Sequence, residues 1–162
     1  MNAKKMNLSE EIPRFRDRTL IFCFGKDLAR PFYVHGREVD ELEMIHTADT
    51  EFEYSDKEGF NHGGPGAGSG SAPGSDKHNK EHYAHVFMNY FLEKLNAIER
   101  EYQFDTVVVL ETIETKGLTE DKWPQHLKAK THFIVGNFHK HSPLEIFHKI
   151  LKEEPLLFEA TA

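Results

Sequence analysis

The sequence predicts a single α/β domain, with one mixed five-stranded sheet and its elements in the order βββαβαβα. Three observations carry this. The apolar runs at 19–24, 105–111 and 131–135 lack polar alternation, as strands covered on both faces do. The stretch from Lys77 to Glu101 places Tyr83, Val86, Phe87, Tyr90, Phe91, Lys94 and Ile98 at helical spacing. Strands and helices alternate only in the second half of the chain, after three strand-like segments in a row.

Taken in order, residues 1–18 are polar and charged and read as an N-terminal arm. Thr19–Phe24 is the first strand and stops at Gly25. A turn over 26–29 leads to a second strand at 30–35, which Pro31 marks as an edge because proline cannot donate to a ladder. Gly36-Arg37 is a tight turn. Residues 38–54 alternate apolar and acidic positions, with an interruption near Ala48-Asp49, and complete an antiparallel meander. Asp76 is a suitable N-cap for the long helix. The β-branched run Asp105–Glu111 belongs in the centre of the sheet. A shorter helix is expected over Thr119–Lys130, opening at Thr119 with Pro124 early in it. Thr131–Val135 is the fifth strand. Ser142-Pro-Leu-Glu opens the last helix, whose apolar positions Leu144, Ile146, Phe147, Ile150 and Leu151 run to Pro155. Residues 155–162 read as a tail, leaving 19–154 as the domain. The last two strands, each entered from a helix, add in parallel by right-handed crossovers. This is the connectivity of ribonuclease H-like and release-factor-middle-domain-like folds.

Composition narrows the function. A formal charge of −7 over 162 residues argues against a general nucleic-acid coat, which needs clustered lysine and arginine, but leaves room for a local basic face. The one cysteine, Cys23, lies inside an apolar run, so it reads as a small buried residue and no intrachain disulfide is available. No apolar signal region precedes Thr19, and no run approaches the ~18 apolar residues of a membrane span. A cytoplasmic protein without a membrane span is expected.

The chemistry centres on residues 59–76, which hold seven of the eleven glycines. So glycine-rich a segment cannot bury enough apolar surface to offset its own ordering entropy. It carries neither the Gly-Lys-Ser/Thr ending of a P-loop nor a dinucleotide fingerprint. Two readings stand: a linker, or a finger that enters a partner or orders on an anion, since free N–H groups beside a helix N-terminus suit phosphate. On the second reading His62, Gly63, Gly64, Gly66, Gly68 and Gly70 form the RNA- or anion-binding loop, joined by Lys77 and Lys80. Residues 122–149 carry five lysines and five histidines against one acid, and Lys128, Lys130, His139 and Lys140 are the candidate basic face. A rival class is a metal-dependent hydrolase or nuclease. His78 and His82 with Glu81 match the H-x-x-E-H pattern of some zinc peptidases, although eleven histidines make such spacings common by chance. Asp27, Glu81 or Glu93, and Glu111 fall roughly where a ribonuclease H-like carboxylate trio would sit, yet no acid lies within 19–24 and Glu111 at a strand end reads as solvated.

The glycine-rich loop running into Lys77–Phe87, the strand Phe104-Asp-Thr-Val-Val-Val-Leu-Glu, the Leu-Lys-Ala segment at 127–129, and Gly136-Asn-Phe-His-Lys-His-Ser-Pro-Leu-Glu-Ile carry a resemblance. From about Thr19 to Leu151 the chain resembles the bacterial host attachment protein family, which is related to the middle domain of archaeal and eukaryotic class I peptide chain release factors. In those factors the matching loop carries Gly-Gly-Gln and enters the ribosomal peptidyl-transferase centre. Here the nearest string is Gly63-Gly64-Pro65 and the loop has no glutamine, so release-type hydrolysis is not implied. What the resemblance implies is RNA or ribosome binding without peptide release, with the family's role in host attachment beside it. The expectation is a non-enzymatic binding module without a cofactor. Its alternatives are the metal-dependent hydrolase and a protein-interaction module, including a homodimer through a sheet edge.

Overall fold

A computed structural model describes residues 3–46 and 73–160, apart from the side chains of 73–81. Its elements are β1 (Ala3–Asn7), β2 (Thr19–Phe24), β3 (Leu28–His35), β4 (Glu38–Leu42), β5 (Ile45–His46), α1 (Pro73–Glu101), β6 (Thr106–Glu111), α2 (Lys116–Lys122), α3 (Gln125–Lys128), β7 (Thr131–Val135) and α4 (Pro143–Glu153), followed by a 3₁₀ turn at Pro155–Leu157. The fold is α/β, with an open mixed sheet in the order β1-β4-β3-β2-β6-β7 and β5 paired to β3. β1, β4, β3 and β2 pair antiparallel with one another, and β6 and β7 add in parallel beside β2.

All six residues of β2 and all six of β6 are buried, because helices cover both faces of these inner strands. On one face Leu20, Phe22, Phe24, Val107 and Val109 pack under α1 through Phe87, Phe91, Leu95 and Ile98, and against Trp123 and Leu127. On the other, Ile21, Cys23, Val108, Leu110 and Ile134 meet Ile146, Phe147 and Ile150 of α4. Cys23 is a packing residue, and burial pushes its thiol up to about 12.

The sheet has seven strands instead of five: β5 splits off from the segment read over 38–54, and β1 comes from the segment read as a polar arm. Its lysines hide the reason. Leu8, Ile12 and Phe15 are buried under α4, and Arg37 holds the carbonyls of Leu8, Ser9 and Ile12 through Nη2 at 3.4, 2.6 and 3.1 Å. The C-terminal segment is docked as well: Phe158 is buried, bridges Phe15 and stacks on it with ring centroids 4.3 Å apart.

β3 is an inner strand despite Pro31. Its outer ladder is discontinuous: β4 pairs with residues 32–35 and β5 with 28–29, so Pro31 falls in the gap where no ladder partner is required. The break lies at Glu43-Met44; the expected interruption at 48–49 is outside the described residues. The predicted helix over Thr119–Lys130 is two short helices. Pro124 ends α2 by forcing Trp123 into an extended conformation (ψ 136°), and Thr119 is buried inside α2 instead of capping it. α1 begins at Pro73, so Asp76 lies within its first turns and not at its cap. Proline suits a first helical position, where its missing N–H has no partner to lose.

Candidate functional site

The parallel strands β2, β6 and β7 end at one edge of the sheet, and open α/β sheets bind ligands at that carboxyl edge. β5 reaches it through the pairing of His46 with Leu28. The start of α1 reaches beyond it: 29 residues make about 43 Å of helix, against about 20 Å for a six-residue strand. Phe91 packs on Phe24 at the end of β2, so the turns before it extend past the sheet. Both described flanks of residues 47–72 therefore belong to the carboxyl edge.

A buried carboxyl and a half-buried imidazole stand at this edge. Glu111 ends β6 on the α1 side of the sheet and is 0% exposed. Neither of its carboxyl oxygens has a hydrogen-bond partner, and Lys116 Nζ stops 3.9 Å away while engaging Glu120 at 2.6 Å. An ionised carboxylate so enclosed costs several kcal/mol. Burial, reinforced by Glu120, accordingly raises its pKa to about 8, against the opposing pull of Lys116. Glu120 moves the other way, held low by Glu111 and Lys116. At neutral pH Glu111 therefore keeps its proton while Glu120 is ionised. A strand-end glutamate read as solvated is therefore the most enclosed acid of the described residues. The apolar run directly before it signals its place at the strand end and not its enclosure.

His139 lies on the opposite face. The connection from β7 to α4 crosses the edge and sets its ring against Gly25, where a Cβ would come within 3.0 Å of Cδ2. Nδ1 is buried without a partner. Burial, with Lys140 adding to it, lowers the pKa, so the ring is neutral at neutral pH. Arg30 clamps this connection. It donates to the carbonyls of His141 at 2.7 Å and His139 at 3.3 Å, and forms a two-pronged pair with Glu41 at 2.8 and 3.3 Å. The N-terminus of α4 is already occupied: Ser142 and Glu145 form a reciprocal capping box.

The predicted basic face is not one face. His139 and Lys140 follow β7 at the carboxyl edge, whereas Lys128 and Lys130 precede it, a strand length of roughly 15 Å away. Lys130 sits over the Phe104 ring, 5.0 Å from its centroid. Four of the five histidines of this segment have acidic partners: His126 with Glu99 (2.8 Å), His132 with Glu154 (3.1 Å), His141 with Glu145 (3.2 Å) and His148 with Glu11 (3.9 Å). Counting bases along the sequence missed these partners because three of the four acids come from outside residues 122–149.

Of the loop residues, His62, Gly63, Gly64, Gly66, Gly68 and Gly70 lie outside the described residues. Lys77, Lys80 and His78 fall in the opening turns of α1, where only the backbone is described, and His82 is exposed. Among the described side chains the carboxylate trio does not assemble, and the side chain of Glu81, the alternative to Glu93, lies outside them. Asp27 is in the β2–β3 turn, Glu93 is exposed on α1, and Glu111 is enclosed on the α1 face. Among the described residues no three His, Cys, Asp or Glu side chains form a metal-holding group, and no helix is long and apolar enough to cross a membrane. No family model, curated protein or solved structure matches the chain.

Proposed function

We infer that the protein is a non-enzymatic RNA- or ribosome-binding module, built like a release-factor middle domain that has lost its catalytic glutamine. The observation that carries this is the position of the glycine-rich segment. Its flanks, β5 and α1, meet the carboxyl edge of β2, β6 and β7, where α/β sheets bind ligands. The run β4-β3-β2-β6-β7, three antiparallel strands followed by two parallel ones, supports the ribonuclease H-like connectivity. In this reading residues 59–72 enter a narrow, negatively charged partner, and Lys26, Lys77, Lys80 and Lys140 contact phosphates at the rim. Lys128 and Lys130, at the far edge, take no part. The buried Glu111 and the half-buried His139 keep this edge from presenting further charge to the partner, because both are neutral at neutral pH.

Purification of the chain from its own cells at low salt tests the reading. Ribosomes or RNA are expected to accompany it and to be released by ribonuclease treatment. Recovery of the chain free of both contradicts the reading.

A further inference from the structure

The amino edge of the sheet, opposite the glycine-rich segment, holds a hollow of about 350 Å³ lined by Arg14, Arg16, Asp17, Arg18, His35 and Glu159, among others. Its geometry is fixed from beneath. Phe15 is buried against Phe158 and Phe147. On either side of it Arg16 N–H donates to the Leu157 carbonyl at 2.9 Å, and Glu159 N–H donates to the Arg14 carbonyl at 2.7 Å. This bridge leaves both arginine side chains exposed. Gly36, with φ +65°, forms the floor; a Cβ there would lie 2.8 Å from Arg14 Nη2. Glycine at this turn thus makes room for the guanidinium as well as for the backbone.

The arginines keep donors in reserve. Arg18 uses Nε on Asp105 and Nη1 on Gln103, and Arg16 uses only Nε, on the Leu156 carbonyl. That leaves Nη2 of Arg18 and both terminal nitrogens of Arg16, while Arg14 makes no hydrogen bond or ion pair with the described residues. The three guanidinium groups share the hollow with three carboxylates, Asp17, Asp105 and Glu159, of which only Asp105 is paired with an arginine. Asp17 and Glu159 line the same hollow and pair with none of the three. They offer acceptors for hydroxyl groups, and His35 adds a ring at the rim.

We propose that this hollow binds a ribonucleoside phosphate: the arginines hold the phosphate, Asp17 and Glu159 accept from the ribose hydroxyls, and the base lies toward His35. Planar guanidinium groups match phosphate oxygens in pairs, and the volume is within the range of small-ligand sites. The phosphate can belong to a free nucleotide or to the end of an RNA chain. This site is independent of the glycine-rich segment and stands or falls apart from ribosome binding.

The test is calorimetric titration of the full chain with adenosine monophosphate, its deoxy analogue, a terminally phosphorylated oligoribonucleotide and inorganic phosphate. Saturable binding of the ribonucleotide is expected, weakened about tenfold or more by Arg14→Ala or Arg16→Ala. The deoxy analogue and inorganic phosphate should bind more weakly. Tighter binding of the oligoribonucleotide than of the mononucleotide assigns the site to RNA ends, and the reverse to free nucleotides. Both exposed arginines can be removed without opening the core, so an unchanged melting temperature certifies each variant. Absence of saturable binding, equal affinity in the variants, or inorganic phosphate binding as tightly as the nucleotide overturns the proposal.

Discussion

The two edges of the sheet handle charge in opposite ways. At the carboxyl edge the chain neutralises what it buries: Arg30 is matched by Glu41, Glu111 keeps its proton, and His139 stays neutral. At the amino edge Arg14 and Arg16 are exposed with donors unused. The contrast teaches that a count of bases along the sequence does not locate a basic surface. In the segment richest in lysine and histidine, four of the five histidines are paired with acids, whereas the arginines with donors unused lie in what reads as a loose arm.

The largest expected break in this contrast is Arg30→Ala. It strands Glu41 and frees the carbonyls of His139 and His141, and should cost about 3 kcal/mol in urea denaturation. A loss near zero would mean that the carboxyl edge does not depend on its clamp.

Glu111→Gln comes next, and its signature is pH. An acid whose folded pKa is raised takes up a proton on folding. From about pH 4.5 upward the unfolded state ionises first, so stability falls until the folded group itself ionises near 8. The variant lacks this slope. Its stability relative to wild type should improve by roughly 2–4 kcal/mol between pH 5 and 8. A pH-independent difference would show that Glu111 is ionised in the fold.

A smaller effect is expected from Ser142→Ala, which opens the capping box of α4 and should cost about 1 kcal/mol. The smallest belongs to the amino edge: Arg14→Ala and Arg16→Ala should leave unfolding within about 0.5 kcal/mol of wild type. A larger loss would make those arginines structural and erase the contrast between the edges.

Much of the architecture was legible in the sequence where burial leaves a periodic trace. β2 and β6 are continuous apolar runs, α1 repeats at helical spacing, and Ser142-Pro-Leu-Glu145 announces α4 with its own cap. β1 was not legible, because its residues Ala-Lys-Lys-Met-Asn alternate weakly and its place depends on Arg37, some thirty residues later. Pro31 misled for a related reason: whether a strand tolerates proline depends on the neighbouring ladder, here broken at Glu43-Met44. Of the site, the position of Glu111 at a strand end was readable, but its enclosure was not, since α2 and α1 supply the surroundings. The arginine hollow joins residues near 15, 35 and 159, a juxtaposition with no footprint in local sequence.

The central claim, that residues 59–72 are the element that engages RNA or the ribosome, is tested most directly by co-sedimentation of the full chain with ribosomes across a salt series. The comparison is with a variant in which residues 61–72 are replaced by a glycine-free polar sequence of equal length. The account predicts pelleting of the natural chain that falls steeply as salt rises, and loss of pelleting in the variant even at low salt. Equal pelleting of the two chains, or none from the natural chain at low salt, would contradict it.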